Sequence, residues 1–78
     1  MCLGIPAEIV ETFDARGVRM AVIEAAGVRR KACLEYTPEA GPGDHVILHC
    51  GFAVSVVTKA QAALSRAVLA EARRALTA

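Results

Sequence analysis

The sequence predicts a mainly β protein, a small five-stranded barrel followed by one C-terminal α-helix. Of the 13 valine and isoleucine residues, 12 precede Thr58, whereas eight alanines follow it. Because β-branched residues favour strands and alanine favours helix, this contrast predicts two kinds of structure. A chain of 78 residues has room for a single domain. We divide it into residues 1–57, a β-barrel with a cysteine at its N-terminal tip, and residues 58–78, the helix.

The first two strands are predicted at residues 5–13 and 18–23. Alternation places Ile5, Ala7 and Ile9 on one face of the first strand. Glu11 interrupts that face, which indicates a bulge or the emergence of the strand from the core. Residues 14–17 form a turn whose glycine supplies a positive φ. In the second strand, one face carries Val18, Met20 and Val22, and the other carries Arg19, Ala21 and Ile23.

The third strand is predicted at residues 28–35, with Val28, Ala32 and Leu34 on one face. Residues 37–44 contain two prolines and two glycines, which exclude regular structure and predict a loop. The last two strands are predicted at residues 45–50 and 52–57, and Gly51 between them marks a bend or a close backbone approach. Five short strands with this spacing favour a barrel of the OB type.

The last segment is predicted to be an amphipathic helix that opens at Thr58. Thr58 and Gln61 have the spacing of a capping box, in which each side chain accepts a hydrogen bond from a backbone N–H of the first turn. Apolar residues then recur every four positions, which predicts one stripe along the helix. This expected apolar stripe consists of Leu64, Val68, Ala72 and Leu76.

Composition and charge disfavour several classes of function. Nine basic and eight acidic residues leave a formal net charge of +1, which provides little attraction toward nucleic acid or an anionic membrane. One tyrosine, two phenylalanines and no tryptophan make a poor platform for base stacking. We expect neither a transmembrane span nor a secretory signal. Three widely spaced cysteines do not suggest a disulfide framework, so the predicted compartment is cytoplasmic.

Soft or borderline metal ligands are limited to three cysteines and two histidines. No Cys-x-x-Cys pair occurs, so a structural zinc site with four protein ligands is not expected. His45 and His49 are four residues apart on a strand, a separation of about 13 Å that prevents both from binding one ion. We expect Cys50 to be a buried small hydrophobe and Cys33 to be an incidental thiol. Spacing alone does not decide whether His49 has a surface, a structural or a functional role.

Cys2 differs from the other cysteines because it precedes the first strand, where a structural thiol has little to pack against. A thiolate in this position is a soft donor for iron. One thiolate does not complete a metal site, so the remaining ligands must come from exogenous groups or from another protein. Ordering a few tail residues costs about 1–2 kcal/mol each, which keeps the hold on the metal reversible. Cys2 therefore predicts a binding partner rather than a self-contained enzyme.

Two segments resemble the signatures of a known protein family. Residues 1–6, Met-Cys-Leu-Gly-Ile-Pro, are similar to the opening of the HypC/HupF hydrogenase assembly chaperones. Residues 43–53, Gly-Asp-His-Val-Ile-Leu-His-Cys-Gly-Phe-Ala, resemble their second signature, GDYVLVHVGFA. Residues 27–30 also fit the family's third strand. Either main motif alone is weak, but together they are specific, and the similarity extends over nearly the whole chain.

The resemblance implies an OB-type barrel with a C-terminal helix and a role in hydrogenase assembly. Members of this family bind a HypD-type iron–sulfur partner while an Fe(CN)₂CO group is assembled, and then escort that group to the hydrogenase large-subunit precursor. The family's essential thiol corresponds to Cys2, the expected metal ligand, and its recurrent histidine to His49. Neither catalytic residues nor a permanently bound cofactor is expected. The expected partner-binding residues are Cys2, Leu3, Gly4, Ile5, Pro6, His49, Gly51 and Phe52.

Two other classes of function remain open to a chain with these residues. A thiol-dependent enzyme needs a base near the thiol, and His49 serves only if the fold brings it to the N-terminus. An OB-type module for single-stranded nucleic acid is disfavoured by the near-neutral charge and the few aromatic residues. Tyr36 and Phe52 are interpreted mainly as packing residues. Leu3 is the better docking candidate beside the thiol, because Ile5 is interpreted as the first core residue.

Overall fold

The computed structural model describes residues 4–77 of the chain. These residues form five strands and one helix. In chain order the elements are β1 (Ile5–Ala15), β2 (Val18–Ala25), β3 (Val28–Cys33), β4 (His45–His49), β5 (Phe52–Val57) and α1 (Lys59–Thr77). Relative to the predictions, β1 and β2 are each two residues longer at their C-terminal ends, and β3 ends two residues earlier.

The five strands close into a barrel in the order β1-β2-β3-β5-β4, and β4 returns to pair with β1. Neighbouring strands are antiparallel except β3 and β5, which run parallel and meet at Cys33 and Phe52. Closure pairs the edge strands that an open sheet would expose to other chains. The predicted architecture, a mainly β OB-type barrel with a C-terminal helix, is confirmed.

Three hairpins are closed by two-residue turns in which both residues have a positive φ. The turn pairs are Arg16-Gly17 (φ 55° and 84°), Ala26-Gly27 (52° and 77°) and Cys50-Gly51 (53° and 81°). Two positive φ angles define a type I′ turn, whose twist matches that of the flanking strands, and glycine adopts such angles without a Cβ penalty. Cys50 therefore lies in a turn and is exposed. The prediction that it is buried is wrong, because alternation along β4 ends at His49.

Two bulges change the register of the barrel. In β1, the pairing with β2 shifts between Ile9 and Glu11, so that a bulge, one of the two alternatives predicted from the glutamate, is present. The second bulge shifts the pairing of β4 with β5 between Ile47 and Leu48. A bulge bends its strand and increases the local twist, which helps a short sheet to curve into a barrel.

The interior is built from a few branched side chains and many alanines. The largest fully buried side chains are Ile9, Ile23, Leu34 and Val46. Smaller buried residues around them include Ala7, Ala21, Ala32 and Ala53. The interpretation of Ile5 as the first core residue is wrong, since Ile5 is 52% exposed. Val28, which was predicted to share a face with Ala32 and Leu34, is also exposed, because each of these two residues, Ile5 and Val28, is the first of its strand, at an end of the barrel.

The loop at residues 37–44 lies against the core. Thr37 and Ala40 are both buried. The loop is also tied to β1, since Gly43 N–H donates to the Ile9 carbonyl and Ile9 N–H donates to the Asp44 carbonyl, both at 2.9 Å. As predicted, the segment contains neither helix nor strand, yet its hydrogen bonds hold it as part of the barrel wall.

The helix begins with the predicted capping box. The Thr58 N–H donates to Gln61 Oε1 at 2.8 Å, and the Gln61 N–H donates to Thr58 Oγ1 at 3.1 Å. These reciprocal bonds satisfy donors that have no partner within the helix itself. Within residues 4–77, no helix combines the length and the apolarity that a membrane crossing requires.

The helix packs on β1 and β4 through a different face from the one predicted. Ala62 is fully buried and Leu69 is half-buried, whereas Leu64 remains 66% exposed. A small residue such as Ala62 lets the helix approach the barrel closely, and this close contact decides which face is covered. Leu76 lies two turns beyond Leu69 on the same face, yet it is 86% exposed. Of the predicted stripe, only Ala72 is partly buried.

Candidate functional site

Ile5 and Pro6 of the N-terminal motif are about 40 residues from the second motif in sequence but adjacent to it in the barrel. β1 runs antiparallel to β4, with Ile5 opposite Leu48 and Pro6 opposite Ile47. The start of β1 therefore lies beside the end of β4, where the β4–β5 hairpin turns. This end of the barrel, hereafter the hairpin end, contains Gly4, Ile5, Pro6, His49, Gly51 and Phe52. Cys2 and Leu3 lie outside the described residues.

Gly4 fits against β4 only because it has no side chain. A Cβ on residue 4 would lie 2.1 Å from Cγ2 of Ile47, far inside van der Waals contact. The backbone of residue 4 consequently rests directly on β4. This close approach gives a physical reason for the glycine of the N-terminal motif, because it fixes where the chain enters the barrel.

The two residues after Gly4 have different environments. Pro6 is buried, whereas Ile5 is more than half exposed. Proline cannot donate a backbone hydrogen bond, which suits a position near the start of a strand. The exposed Ile5 adds an apolar side chain to the surface at the start of β1. Sequence alternation placed it in the core because alternation does not reveal where the barrel ends.

The β4–β5 hairpin brings three candidate residues together. His49 pairs with Phe52 across the turn, and His49 is exposed. Gly51 supplies one of the positive φ angles of the turn, and its carbonyl accepts a 2.9 Å hydrogen bond from the Cys33 N–H of β3. The hairpin tip is thus anchored to the neighbouring strand. The imidazole projects from a fixed backbone position at the hairpin end.

Phe52 forms a surface aromatic pair with Tyr36. The ring centroids are 5.5 Å apart and the rings are tilted by 49°, a favourable aromatic geometry. Tyr36 is 68% exposed, so the pair is a surface feature, and the interpretation of these residues as simple packing groups is incomplete. Together with His49, Cys50 and Val54 they line an open recess of about 590 Å³.

Sequence reasoning missed Tyr36 as a candidate functional residue. The sequence feature that could have indicated Tyr36 is its position two residues after Leu34, just beyond the predicted third strand. A residue that leaves the sheet just after a buried position is free to lie over a neighbouring strand. The parallel pairing of Cys33 with Phe52 brings the end of β3 beside the start of β5, and this long-range pairing was not evident from the sequence.

The metal-ligating side chains within residues 4–77 are dispersed. No group of three or more histidine, cysteine, aspartate or glutamate side chains in this part of the chain could hold a metal ion. Cys33 is half-buried and Cys50 is exposed, and both are free thiols. His45 and His49 occupy opposite ends of β4, as their spacing predicted. The predicted metal ligand, Cys2, lies outside the described residues.

His45 contains a buried polar atom without a partner in the described part of the chain. Its Nδ1 is inaccessible to solvent and has no hydrogen bond. The residue pairs with Glu8 on β1 and with Val57 on β5. An unpaired buried nitrogen is unfavourable, typically by about 1–3 kcal/mol. It lies at the other end of β4 from His49, so it is not part of the hairpin end.

The sequence is similar to proteins whose role has been assigned. The model of the HupF/HypC family matches residues 1–69. The hydrogenase maturation factor HypC of Rhodobacter capsulatus is 43% identical over 67 residues, covering 81% of this chain and 69% of that protein. The factor of the same name from Cupriavidus necator is 36% identical over 75 residues, covering 95% of this chain and 79% of that protein.

A cyanobacterial relative has nearly the same length. The hydrogenase maturation factor HypC of Synechocystis sp. is 33% identical over 73 residues, which cover 91% of this chain and 96% of that protein. The family match includes both motifs that meet at the hairpin end, and it extends into the helix. The chain belongs to the HupF/HypC family.

Proposed function

We propose that this chain is a hydrogenase maturation chaperone that binds a HypD-type iron–sulfur partner and helps to carry an Fe(CN)₂CO group to the hydrogenase large-subunit precursor. The thiolate of Cys2 is the iron ligand in this proposal. The supporting observation is the direct contact of Gly4 with Ile47 at the hairpin end. Gly4 follows Cys2 by two residues in the sequence.

Coordination by a single thiolate is suited to a protein that passes an iron group on to another protein. Iron bound to a single protein sulfur keeps its other coordination positions for cyanide, carbonyl and donors from a second protein. The chaperone therefore holds the group without enclosing it. We place this transfer in the cytoplasm, where thiols remain reduced, and we assign no catalytic residue.

The exposed residues of the hairpin end, together with Tyr36 beside Phe52, provide the proposed partner surface. Ile5 supplies aliphatic area, and Tyr36 and Phe52 supply aromatic area. Aromatic side chains with a polar atom are enriched in protein–protein interfaces, where they bury a large surface at a low entropic cost. In this proposal His49 contributes a hydrogen-bonding group beside the same surface.

The direct test uses a host strain in which this chain is replaced by a Cys2→Ala variant. We expect the variant to fold normally and hydrogenase activity to be lost, because the substitution removes the proposed iron ligand. Cys33→Ser and Cys50→Ser serve as matched controls and should retain activity. Infrared spectra of the purified complex with the HypD-type protein should contain cyanide and carbonyl bands. Normal hydrogenase activity in the Cys2→Ala strain would refute the proposal.

The partner surface is tested separately from the thiol. Leu3→Asp and Phe52→Asp each place a carboxylate within the proposed interface, and both should reduce co-purification with the HypD-type protein. Val18→Asp is a control of the same chemistry at an exposed position at the start of β2, opposite Ala15 at the far end of β1. Equal recovery of the partner with all three variants would remove the hairpin end from the interface.

The position of His49 also favours a second candidate, a thiol-dependent enzyme. His49 and the start of β1 lie at the same end of the barrel, which provides the base that such an enzyme needs. A turnover assay of the purified chain with a disulfide or thioester substrate, from which the thiolate of Cys2 would displace a thiolate leaving group, distinguishes the two functions. Turnover that is lost in both Cys2→Ala and His49→Gln would establish the enzyme, whereas the chaperone proposal expects no turnover by the chain alone.

A further inference from the structure

Formal charge is divided unequally between the barrel and the helix. Residues 4–57 contain five basic and seven acidic residues, a net charge of −2. Residues 58–77 contain four basic residues and one acidic residue, a net charge of +3. The near-neutral total of +1 therefore conceals a basic helix on an acidic barrel. This separation of charge means that the helix can attract an anionic surface even though the whole chain cannot.

Three of the cations form a row along the helix. Lys59, Arg66 and Arg73 are spaced by seven residues, and positions two turns apart lie on nearly the same line of an α-helix. The two arginines of this row line a groove between the helix and the start of β1. Lys59 does not line this groove.

The groove, hereafter the basic groove, has an apolar floor and cationic walls. Its volume is about 220 Å³, and its lining includes Ile5, Pro6, Ala26, Arg66, Leu69 and Arg73. Sites for drug-sized ligands and cofactors usually measure about 300–1,000 Å³, so this groove is suited to one or two amino-acid side chains. Ile5 and Pro6 offer apolar contact, while the guanidinium group of Arg66 presents parallel N–H donors to a carboxylate. The matching occupant is a protein segment in which an aliphatic side chain lies next to an aspartate or glutamate.

The position of the basic groove indicates which protein supplies that segment. Ile5 and Pro6 belong to the N-terminal motif, three and four residues after Cys2. A protein that completes the coordination of iron on this thiolate must lie against the same part of the surface. We propose that the basic groove docks an acidic, aliphatic segment of the HypD-type partner; this inference rests on the proposed function, because that function supplies the partner.

The test measures the affinity of the purified full-length chain for the HypD-type protein at several salt concentrations. Arg66→Glu should weaken binding about tenfold or more and should reduce its salt dependence, because a buried charge pair is replaced by like charges. Arg66→Gln should give a smaller loss in the same direction. Lys59→Glu is the matched control, with the same change of charge on the same helix but outside the basic groove, and should remain within about twofold of the original chain.

Several outcomes would overturn the basic groove as the docking site. One such outcome is an unchanged affinity of Arg66→Glu for the HypD-type protein. Another is an equal loss of affinity for Arg66→Glu and Lys59→Glu, which would indicate attraction by net charge alone. If Arg66→Glu weakens binding to the large-subunit precursor but not to the HypD-type protein, the basic groove binds a different partner from the one proposed. If the unmodified chain does not bind the HypD-type protein, the proposed function fails together with the groove. If the unmodified chain binds the HypD-type protein, Cys2→Ala blocks maturation and Arg66→Glu leaves the affinity unchanged, only the proposal of the basic groove fails.

Discussion

Ile47 of β4 occupies the space in which residue 4 would carry a side chain, so that its Cγ2 lies 2.1 Å from the position of a Cβ on Gly4. Gly4→Ala must therefore displace either the start of β1 or the Ile47 side chain. We expect a loss of about 1–3 kcal/mol in the free energy of unfolding, the usual range for overpacking. Urea denaturation measures this change.

Gly41→Ala is the control for that measurement. A Cβ at residue 41 meets no atom within 4 Å, and residue 41 has no positive φ. Its alanine variant should unfold at the urea concentration of the original chain or slightly above it, because alanine reduces the entropy of the unfolded state. Equal stabilities of the two alanine variants would contradict the contact between Gly4 and Ile47.

A second prediction concerns which leucines attach the helix to the barrel. Leu69→Ala should destabilise the protein by about 1–3 kcal/mol, because it removes a half-buried side chain between the helix and the barrel. Leu64→Ala makes the same chemical change on the exposed flank of the same helix and should alter stability by less than about 0.5 kcal/mol. Thermal unfolding followed by circular dichroism compares the two variants. A larger loss of stability for Leu64→Ala than for Leu69→Ala would indicate that the helix packs on the barrel through the stripe predicted from the sequence.

A third prediction concerns the unpaired nitrogen of His45. His45→Phe keeps a planar ring of similar size and removes the buried Nδ1 atom. We expect the free energy of unfolding to increase by about 1 kcal/mol, because an unsatisfied polar atom is replaced by carbon. His49→Phe is the control, since His49 is exposed and should change stability little. Lower stability of His45→Phe would indicate that Nδ1 is hydrogen-bonded in solution, for instance to water.

A fourth prediction distinguishes the two free thiols of the described residues by their accessibility. Cys50 lies exposed in the β4–β5 turn, and Cys33 is half-buried in β3. In a Cys2→Ser background, iodoacetamide should modify Cys50 several-fold faster than Cys33. Mass spectrometry of peptides at successive times measures both rates. Faster modification of Cys33 would contradict the type I′ turn at Cys50-Gly51.

Local sequence was sufficient for features that depend on neighbouring residues. The capping box at Thr58 and Gln61 was predicted and is present. The bulge before Glu11 was one of two predicted alternatives and is present. A cap needs only two residues within one helical turn, and a bulge shows as an interrupted alternation, so both are visible within a short window. The number of strands and the final helix followed in the same way, from β-branched and alanine-rich segments separated by turn residues.

Features that depend on the ends of the barrel were predicted incorrectly. Ile5 and Val28 continue an apolar alternation but lie where the barrel stops, and Cys50 lies where β4 has already turned. The helix shows the same effect, since Leu64 and Leu76 belong to an apolar pattern that the barrel does not cover. Periodicity reports which residues share a face, but not whether another element lies opposite that face.

By itself, the sequence determined the order of the strands and the helix, the cap, and the two motifs that identify the family. Only the tertiary structure decided that these motifs meet at the hairpin end, that Tyr36 lies on Phe52, and that Arg66 lines a groove beside Ile5. The physical reason is that strand pairing and helix docking join residues far apart in the chain. Their contacts depend on barrel closure, which no local pattern of residues specifies.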